Sequence, residues 1–256
     1  MKLIISLLTA CFLFAGQVNA DVYVGEKRKI LALGDSLTYG TGDATGNLMG
    51  FRDHLSDLLG TTNWEFIGTS VRPQSASGYR TNHSGYPSLA ASQTVTYVAS
   101  ELAGAFGNSV PSGSVVVLFI GTNDIARSVG NSTVTGYLST ILDSIRTFDS
   151  GLRVILINLG PNGTGAVETR MVSYNTAFAT MLGTYQATYP TFDIDLIDMH
   201  SSIANDTHGL CGGAGNWQAN CYADTTHFND TGYRAVATQI AACINDPNAS
   251  NCDGTP

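Results

Sequence analysis

The chemistry of this sequence starts with a serine, an aspartate and a histidine, the residue types of a nucleophilic triad. Ser36 stands in the stretch Gly34-Asp35-Ser36-Leu37-Thr38, directly after the apolar run 30–33. A serine hydroxyl is a poor nucleophile until a neighbouring base takes its proton. His227 is the candidate base, and Asp224, three residues earlier, is placed to fix the tautomer of the ring and stabilise the imidazolium. We therefore predict that Ser36, Asp224 and His227 are catalytic.

Each of these residues also has a non-catalytic interpretation. Glycine, aspartate and serine are common in turns, so the stretch around Ser36 carries little weight alone. His227 is one of five histidines, and Asp224 is also placed to cap the helix that follows. For that helix we predict a cap at Asp230, with Asn229 beside it. These alternatives stay open at the level of the sequence.

Acyl transfer also needs hydrogen-bond donors for the negative charge that develops on the carbonyl oxygen. Asn123 follows the second long apolar run, 114–120, so its amide is expected at the same crevice as Ser36. Gly85 has no side chain to keep its backbone away from a substrate. A turn glycine and a loop-capping asparagine are the alternatives. His83 either orients the loop before Gly85 or is exposed, and we leave it outside the catalytic set.

Taken together, four stretches resemble the four sequence blocks of the GDSL or SGNH hydrolase family, in the same order. They are Gly34-Asp35-Ser36-Leu37-Thr38, Asn82-His83-Ser84-Gly85-Tyr86, Gly121-Thr122-Asn123-Asp124 and Asp224-Thr225-Thr226-His227-Phe228-Asn229-Asp230. The resemblance covers most of the chain after the first twenty residues. It implies a serine esterase with a triad of Ser36, His227 and Asp224. It also implies an oxyanion hole formed by the Ser36 N–H, the Gly85 N–H and the Asn123 amide.

The second block resembles, more narrowly, the carbohydrate esterases of the CE3 type, which remove acetyl groups from xylan. Its His-x-Gly sequence is followed by an aromatic residue, Tyr86. The sequence departs from that pattern in two places: Pro87-Ser88 stands where Thr-Ile is common, and Phe228 where proline is usual. Both lie beside the site and put the substrate preference in doubt. The resemblance implies an exported esterase for short-chain acyl esters, with acetyl groups on carbohydrate such as xylan as the expected substrate.

Two other functions remain open: a broad-specificity lipase, arylesterase or thioesterase of the same family, and a non-catalytic sugar-binding module. The sequence has no long apolar segment to cover a fatty-acyl groove. Some aromatic residues are either platforms for sugar rings or packing residues: Tyr79, Tyr86, Trp217 and Tyr222. No cluster of histidine and aspartate has the spacing of metal ligands, so we expect no metal and no cofactor.

The apolar pattern predicts strands that alternate with helices. Apolar runs predict strands at 30–33, 114–120 and 152–159, alternation predicts a short strand at 64–68, and 192–199 is the fifth predicted strand. Helical spacing predicts helices over 51–59, 89–106, 134–148, 167–189 and 231–244, and loops over 71–85 and 201–223. This alternation builds right-handed βαβ units. We predict one α/β domain over 21–256, a three-layer α/β/α sandwich with a five-stranded parallel sheet. The resemblance implies the flavodoxin-like SGNH hydrolase fold, with strand order 2-1-3-4-5.

Composition limits the partners of this chain. The 256 residues include 12 Lys or Arg and 20 Asp or Glu, a formal net charge of −8. Such a chain lacks the basic surface that nucleic acids require, and it gains nothing from an anionic membrane surface. We expect a neutral small-molecule or polysaccharide ester as the substrate. The sequence leaves the oligomeric state open.

The first twenty residues predict a cleaved signal peptide. Lys2 provides the positive start, residues 3–16 are apolar, and Val18-Asn19-Ala20 has the small residues of a cleavage site. The apolar run is too short to span a bilayer comfortably, so we expect no stable membrane insertion. Cleavage after Ala20 would release the protein into the periplasm or the medium. Processing as a lipoprotein at Cys11 is the alternative.

Four cysteines remain after that cleavage, an even number in an exported chain, which favours disulfides. They are Cys211, Cys221, Cys243 and Cys252. Three pairings are open, and we favour the local ones, Cys211 with Cys221 and Cys243 with Cys252. A metal site is the alternative, but the spacings are not those of zinc ligands.

Overall fold

The computed structural model describes residues 26–43, 49–71, 81–213 and 215–246. The predicted signal peptide over residues 1–20, Tyr79 and Cys252 fall outside these ranges. Within them, no helix combines the length and the apolar character needed to cross a bilayer.

Short runs of buried residues form the strands of a central sheet. In chain order they are β1 (Arg28–Gly34), β2 (Trp64–Ile67), β3 (Ser70–Val71), β4 (Asn82–Gly85), β5 (Val115–Phe119), β6 (Arg153–Ile157) and β7 (Ile194–Ile197). β5 and β7 are buried along their whole length, and β1 and β6 at all but their first residue. Burial of every residue, without alternation, is typical of parallel strands that are covered on both faces.

The predicted parallel sheet and its strand order are confirmed, but the predicted number of strands is wrong. The five predicted strands are β2, β1, β5, β6 and β7, and they lie side by side in that order, all parallel. The described residues form seven strands, because β3 and β4 join the sheet as well. Both lie in or beside the predicted loop 71–85. β4 has the sequence Asn-His-Ser-Gly, which lacks the apolar run on which the prediction of strands relied.

The outer edge of β1 is shared by two strands. β2 pairs with the first half of β1, from Arg28 to Leu31. β4 pairs with the second half, Ser84 opposite Leu33 and Gly85 opposite Gly34. Since β5 occupies the other edge of β1, β2 and β4 follow one another along the same edge. Gly85 is therefore held beside the end of β1.

Helices cover both faces of the sheet. They are α1 (Ser36–Tyr39), α2 (Phe51–Leu59), α3 (Ala91–Phe106), α4 (Thr122–Ala126), α5 (Asn131–Phe148), α6 (Gly165–Thr188), α7 (Met199–Ala204), α8 (Trp217–Cys221) and α9 (Asp230–Asn245). α2 packs against α9, whereas α3 packs against α5 and α5 against α6. Because the chain turns back after β2, right-handed crossovers place these two groups on opposite faces. The result is the predicted three-layer sandwich.

The longer helices follow their apolar periodicity. In α5 the buried residues recur at helical spacing: Val134, Leu138, Ile141, Leu142 and Ile145. The five predicted helices are present, with ends that differ by no more than three residues from the predicted bounds. The prediction of a loop over 201–223 is wrong in part, because these residues include part of α7 and the short helix α8. These two helices carry the segment that precedes Asp224.

Candidate active site

The first residue of α1 is Ser36, and it stands where β1 ends. Asp35 caps this short helix, because its Oδ1 accepts the N–H of Leu37 at 2.9 Å. Gly34 allows the tight passage from strand to helix, since a Cβ there would overlap the carbonyl oxygen of Phe119 on β5. Ser36 is 6% exposed. Its hydroxyl is thus held at the carboxyl end of a central strand.

A chain of hydrogen bonds joins the three residues predicted to be catalytic. His227 Nε2 lies 3.0 Å from Ser36 Oγ, and His227 Nδ1 lies 2.8 Å from Asp224 Oδ2. With its proton on Nδ1, the neutral ring donates to Asp224 and accepts from the Ser36 hydroxyl. Both distances are within the reach that proton transfer requires. The arrangement is able to remove the Ser36 proton and to stabilise the imidazolium that forms.

Asp224 belongs to a closed turn just before α9, residues 223–227, named the catalytic turn for the two predicted catalytic residues that it carries. Its Oδ1 accepts the backbone N–H groups of Thr226 and His227, each at 2.7 Å. The N–H of Ala223 donates to the carbonyl oxygen of His227 at 2.8 Å and closes the turn. Burial raises the pKa of the Asp224 carboxyl, but the hydrogen bonds from His227 and Thr226 outweigh it and lower that pKa below its usual value. The carboxylate is therefore ionised when it faces the His227 ring.

The helix cap predicted at Asp230 is wrong by one residue. Asn229 is the cap of α9, and its side chain accepts the N–H of Gly232 at 3.0 Å. Asp230 is the first helical residue, and its Oδ1 lies 2.9 Å from Nε2 of His54 on α2. A contact between α2 and α9 thus fixes the start of the helix that follows the catalytic turn.

Two of the three predicted oxyanion donors have an N–H hydrogen available for a further acceptor. The N–H of Ser36 is in the first turn of α1, where a helix supplies no acceptor of its own. Asn123 is the second residue of α4, and its Nδ2 donates to the carbonyl oxygen of Leu89 at 2.9 Å. An amide nitrogen carries two hydrogens, so one remains for another acceptor.

The third predicted donor, the N–H of Gly85, already has an acceptor. It donates to Nδ1 of His83 at 3.0 Å. His83 is fully buried, which excludes the exposed position that the sequence left open. A side chain at Gly85 would also be too close to α1, because a Cβ would lie 2.6 Å from the N of Tyr39. The backbone of Gly85 therefore lies against the nucleophile helix, and its N–H must be shared with or released by His83 to bind an oxyanion.

Two buried carboxyl groups lie beneath these donors. Burial raises the pKa of Asp35 to about 7, although the N–H of Leu37 favours the ionised form. Burial also raises the pKa of Asp124, whose Oδ2 accepts the N–H of Ala91 at 2.8 Å. The raised pKa of Asp35 limits the negative charge next to Ser36 near neutral pH.

The chain matches the GDSL-like Lipase/Acylhydrolase family over residues 32–235. It belongs to this family. It is accordingly a carboxylic ester hydrolase. A comparison with the sequences of curated proteins found no match.

Solved structures share the fold of the hydrolase. A family 3 carbohydrate esterase of Clostridium thermocellum superposes with a TM-score of 0.62 at 20% identity, over 83% of this chain and 92% of that one. A family 3 carbohydrate esterase of Talaromyces cellulolyticus gives 0.64 at 19% identity, over 85% and 96%. An acetyl esterase S10A mutant with acetate ion gives 0.59 at 19% identity, over 86% and 100%.

The aromatic residues predicted as either sugar platforms or packing residues separate in the hydrolase. Tyr222 is 7% exposed, and its ring packs 4.7 Å from that of Phe228 and 5.1 Å from that of Trp217, so it is a packing residue. Trp217 and Tyr86 are half-buried. Only these two of the described candidates keep part of the ring accessible.

Several residues that support the site were not predicted. Arg52 is fully buried on α2 and donates from Nη1 to the carbonyl oxygen of Thr38 at the end of α1. Asn162 donates from Nδ2 to Oγ1 of Thr226 in the catalytic turn at 3.3 Å. Its own N–H is bound by Glu168 at 2.7 Å. The contacts of Arg52 with Thr38 and of Asn162 with Thr226 join residues 14 and 64 apart in the sequence, and no motif marks them.

One predicted disulfide lies next to the catalytic turn. Cys211 and Cys221 are bonded, as predicted, and both are buried. Cys243 is buried and disulfide-bonded as well, whereas Cys252 lies outside the described residues. Cys221 ends α8, and its carbonyl oxygen accepts the N–H of Asn229 at 3.0 Å. The disulfide therefore anchors the base of the turn that carries Asp224 and His227.

Proposed function

We propose that the hydrolase is a serine esterase of short-chain acyl esters, and that it removes acetyl groups from carbohydrate such as xylan. The observation that carries this proposal is the hydrogen-bond chain from Ser36 Oγ through His227 to Asp224. Nucleophile, base and orienting carboxylate meet here, although the serine and the histidine are 191 residues apart in the sequence. Such an arrangement is the geometric signature of a serine nucleophile with its base.

The reaction proceeds in two halves. Ser36 Oγ attacks the acyl carbon while its proton moves to His227 Nε2, and the carbonyl electrons pass to the oxygen. The bond to the alcohol then breaks, and the alcohol leaves with the proton from His227. Water repeats the sequence on the acyl-enzyme: His227 takes a proton from the water, and acetate and the free Ser36 hydroxyl are released. Asp224 stays ionised and stabilises the imidazolium in both halves.

The oxyanion that forms in each half is stabilised by the N–H of Ser36, the N–H of Gly85 and the amide of Asn123. The first two are backbone groups at the junction of β1, α1 and β4. Loss of one such donor typically lowers turnover by about 10²–10³-fold. The N–H of Gly85 exchanges its bond to His83 for one to the oxyanion.

Several observations support a short-chain acyl ester of a neutral carbohydrate as the substrate. Structures with this fold include carbohydrate esterases of family 3 and an acetyl esterase. The second sequence block resembles the first of these groups. A net charge of −8 favours an uncharged polymer over an anionic one. The signal sequence expected over residues 1–20 would place a single-domain enzyme outside the cytoplasm, where plant polysaccharides are found.

The first test compares p-nitrophenyl acetate, butyrate and palmitate, and acetate release from acetylated xylan. Activity is expected on acetate and on xylan, with little on palmitate. Ser36→Ala should lower kcat by about 10⁴-fold or more, because the nucleophile and its base act as a unit. Ser100→Ala, which removes an exposed hydroxyl from α3, is the matched control and should keep full activity.

Other results would point to the alternative functions. Comparable rates on acetate and palmitate would replace the proposal with a broad lipase or thioesterase. Activity that survives in Ser36→Ala would refute the serine mechanism. No turnover by the wild type, with glycan binding unchanged in Ser36→Ala, would establish a sugar-binding module instead.

A further inference from the structure

A buried carboxylate on α3 holds the residues on both sides of Gly85. Glu101 is 9% exposed. Its Oε2 accepts the hydroxyl of Ser84 at 2.5 Å, and its Oε1 accepts the hydroxyl of Tyr86 at 2.8 Å. Oε2 also accepts the hydroxyl of Thr69, at 2.5 Å. One side chain thus receives three hydroxyl groups, two of them from the neighbours of Gly85.

These bonds matter because the strand pairing of this segment is short. β4 has four residues and β3 only two. Two residue pairs join β4 to β1, and two join it to β3. The N–H of Tyr86 donates to the carbonyl oxygen of Gly34 at 3.0 Å, which ties the segment to β1. Glycine has more backbone freedom than any other residue, so the position of Gly85 depends on its neighbours.

We propose that Glu101 is a positioning residue for acyl transfer, which fixes the N–H of Gly85 at the oxyanion through Ser84 and Tyr86. The inference depends on the proposed function, because it assigns the Gly85 N–H to the oxyanion hole. Hydrogen bonds from hydroxyl groups to a carboxylate are short and strong, and more so where water is excluded. A displacement of about 1 Å at a reacting group typically costs about 10²-fold in rate.

A carboxylate is better suited to this task than an amide of the same size. Both of its oxygens accept, so three hydroxyl groups can all donate to it. In Glu101→Gln one oxygen becomes an NH₂ group, which donates and cannot receive the hydroxyl of Ser84 or Tyr86. At least one of the three hydroxyl groups must then reverse its hydrogen bond and accept from this NH₂ group, or lose its bond to residue 101.

The test uses the full chain and the variants Glu101→Gln, Glu101→Ala, Ser84→Ala and Tyr86→Phe. Steady-state kinetics with p-nitrophenyl acetate give kcat and KM. We expect kcat to fall about 10-fold in Glu101→Gln and about 100-fold in Glu101→Ala, with KM within about threefold of the wild type, because the donor acts in the transition state. Glu65→Gln on β2 makes the same change of charge at the far end of the sheet edge and should leave kcat unchanged.

A second measurement distinguishes positioning from a loss of folded protein. A trifluoromethyl ketone adds to a catalytic serine and places an oxyanion in the hole. Its inhibition constant does not depend on the fraction of active enzyme, so it should rise by the same factor as kcat/KM falls. Thermal unfolding is followed for each variant, and if Glu101→Ala does not fold, Glu101→Gln, Ser84→Ala and Tyr86→Phe carry the test.

The inference is overturned if the inhibition constant stays at the wild-type value in Glu101→Gln while only the melting temperature falls. It is also overturned if Ser84→Ala and Tyr86→Phe both keep the wild-type kcat. Failure of the proposed function has a different signature, since Ser36→Ala would then remain active and the ketone would inhibit neither enzyme.

Discussion

At the scale of single residues, Ser36 stands next to an aspartate that is fully buried, which is rare for this residue type. Asp35 has no exposed surface, and its Oδ1 is bound by the N–H of Leu37. A buried carboxylate without a cation beside it is costly, so the protonated form is favoured. Asparagine has the same shape, accepts the same N–H and carries no charge. The comparison of these two side chains isolates the effect of the Asp35 proton.

Asp35→Asn should change the pH dependence of stability. Because burial raises the pKa of Asp35 to about 7, the folded state holds a proton that the unfolded chain releases above its ordinary pKa. The wild type therefore loses stability as the pH rises through that window and levels off above about pH 7. The variant lacks this loss, and its free energy of unfolding should exceed that of the wild type by about 1–3 kcal/mol more at pH 8 than at pH 5.

Urea unfolding at the two pH values measures this difference. Tyr137→Phe, a substitution on α5, serves as the control for the unfolding measurement. If the free energies of unfolding of Asp35→Asn and the wild type differ by the same amount at both pH values, Asp35 is ionised at both.

At the scale of elements, the catalytic turn is held between two helices. The disulfide fixes the end of α8, and the cap at Asn229 fixes the start of α9. Between them, Asp224 and His227 bond to each other and to the backbone of the same turn. The turn therefore has its own hydrogen bonds, and the disulfide adds stability at its base.

Replacing both cysteines with serine, in Cys211→Ser/Cys221→Ser, should lower the free energy of unfolding by about 2–3 kcal/mol. The disulfide closes a loop with a sequence separation of 10. A disulfide across a loop of this size typically stabilises the folded state by about that amount. We expect kcat to fall by less than about 10-fold, because the bonds within the turn remain. Thermal unfolding and p-nitrophenyl acetate kinetics provide the readouts. An unchanged melting temperature would contradict the prediction. A loss of activity as large as that of Ser36→Ala would show that the hydrogen bonds within the turn cannot maintain its conformation without the disulfide.

The elements also show which parts of the architecture a sequence can reveal. The five predicted strands were recognisable because each has apolar residues in a continuous or alternating run. β4 was not, because its place beside Gly34 depends on two glycines that approach closely in space. The meeting of Ser36, Asp224 and His227 was predictable from their residue types and their order in the sequence. Glu101 was not, since an acid within an amphipathic helix resembles any solvated glutamate until the fold brings three hydroxyl groups to it.

At the scale of the whole molecule, catalysis is expected to need no metal ion. One group of described residues has three potential metal ligands within reach of each other: Asp206, His208 and Cys211. Cys211 is bonded to Cys221 and offers no thiolate. Asp206 already accepts the N–H groups of Cys211 and Gly213, each at 2.7 Å. This group is therefore occupied by structural bonds.

Dialysis against EDTA should leave kcat/KM for p-nitrophenyl acetate within about twofold of its starting value, because neither nucleophile nor oxyanion donors need a metal ion in the proposed mechanism. The enzyme dialysed against buffer alone is the control. A loss of activity that added zinc or calcium restores would contradict this expectation.

The divided edge of β1 has a consequence for how such enzymes diversify. β3 and β4 pair antiparallel, so the two ends of the segment between Val71 and Asn82 are held together by backbone bonds. Doubling the length of a flexible connection costs only about 0.6 kcal/mol. Insertions between these strands can therefore accumulate while Gly85 keeps its place beside β1 and α1. Evolution, or an engineer grafting loops, is free to vary the chain between β3 and β4 without displacing Gly85.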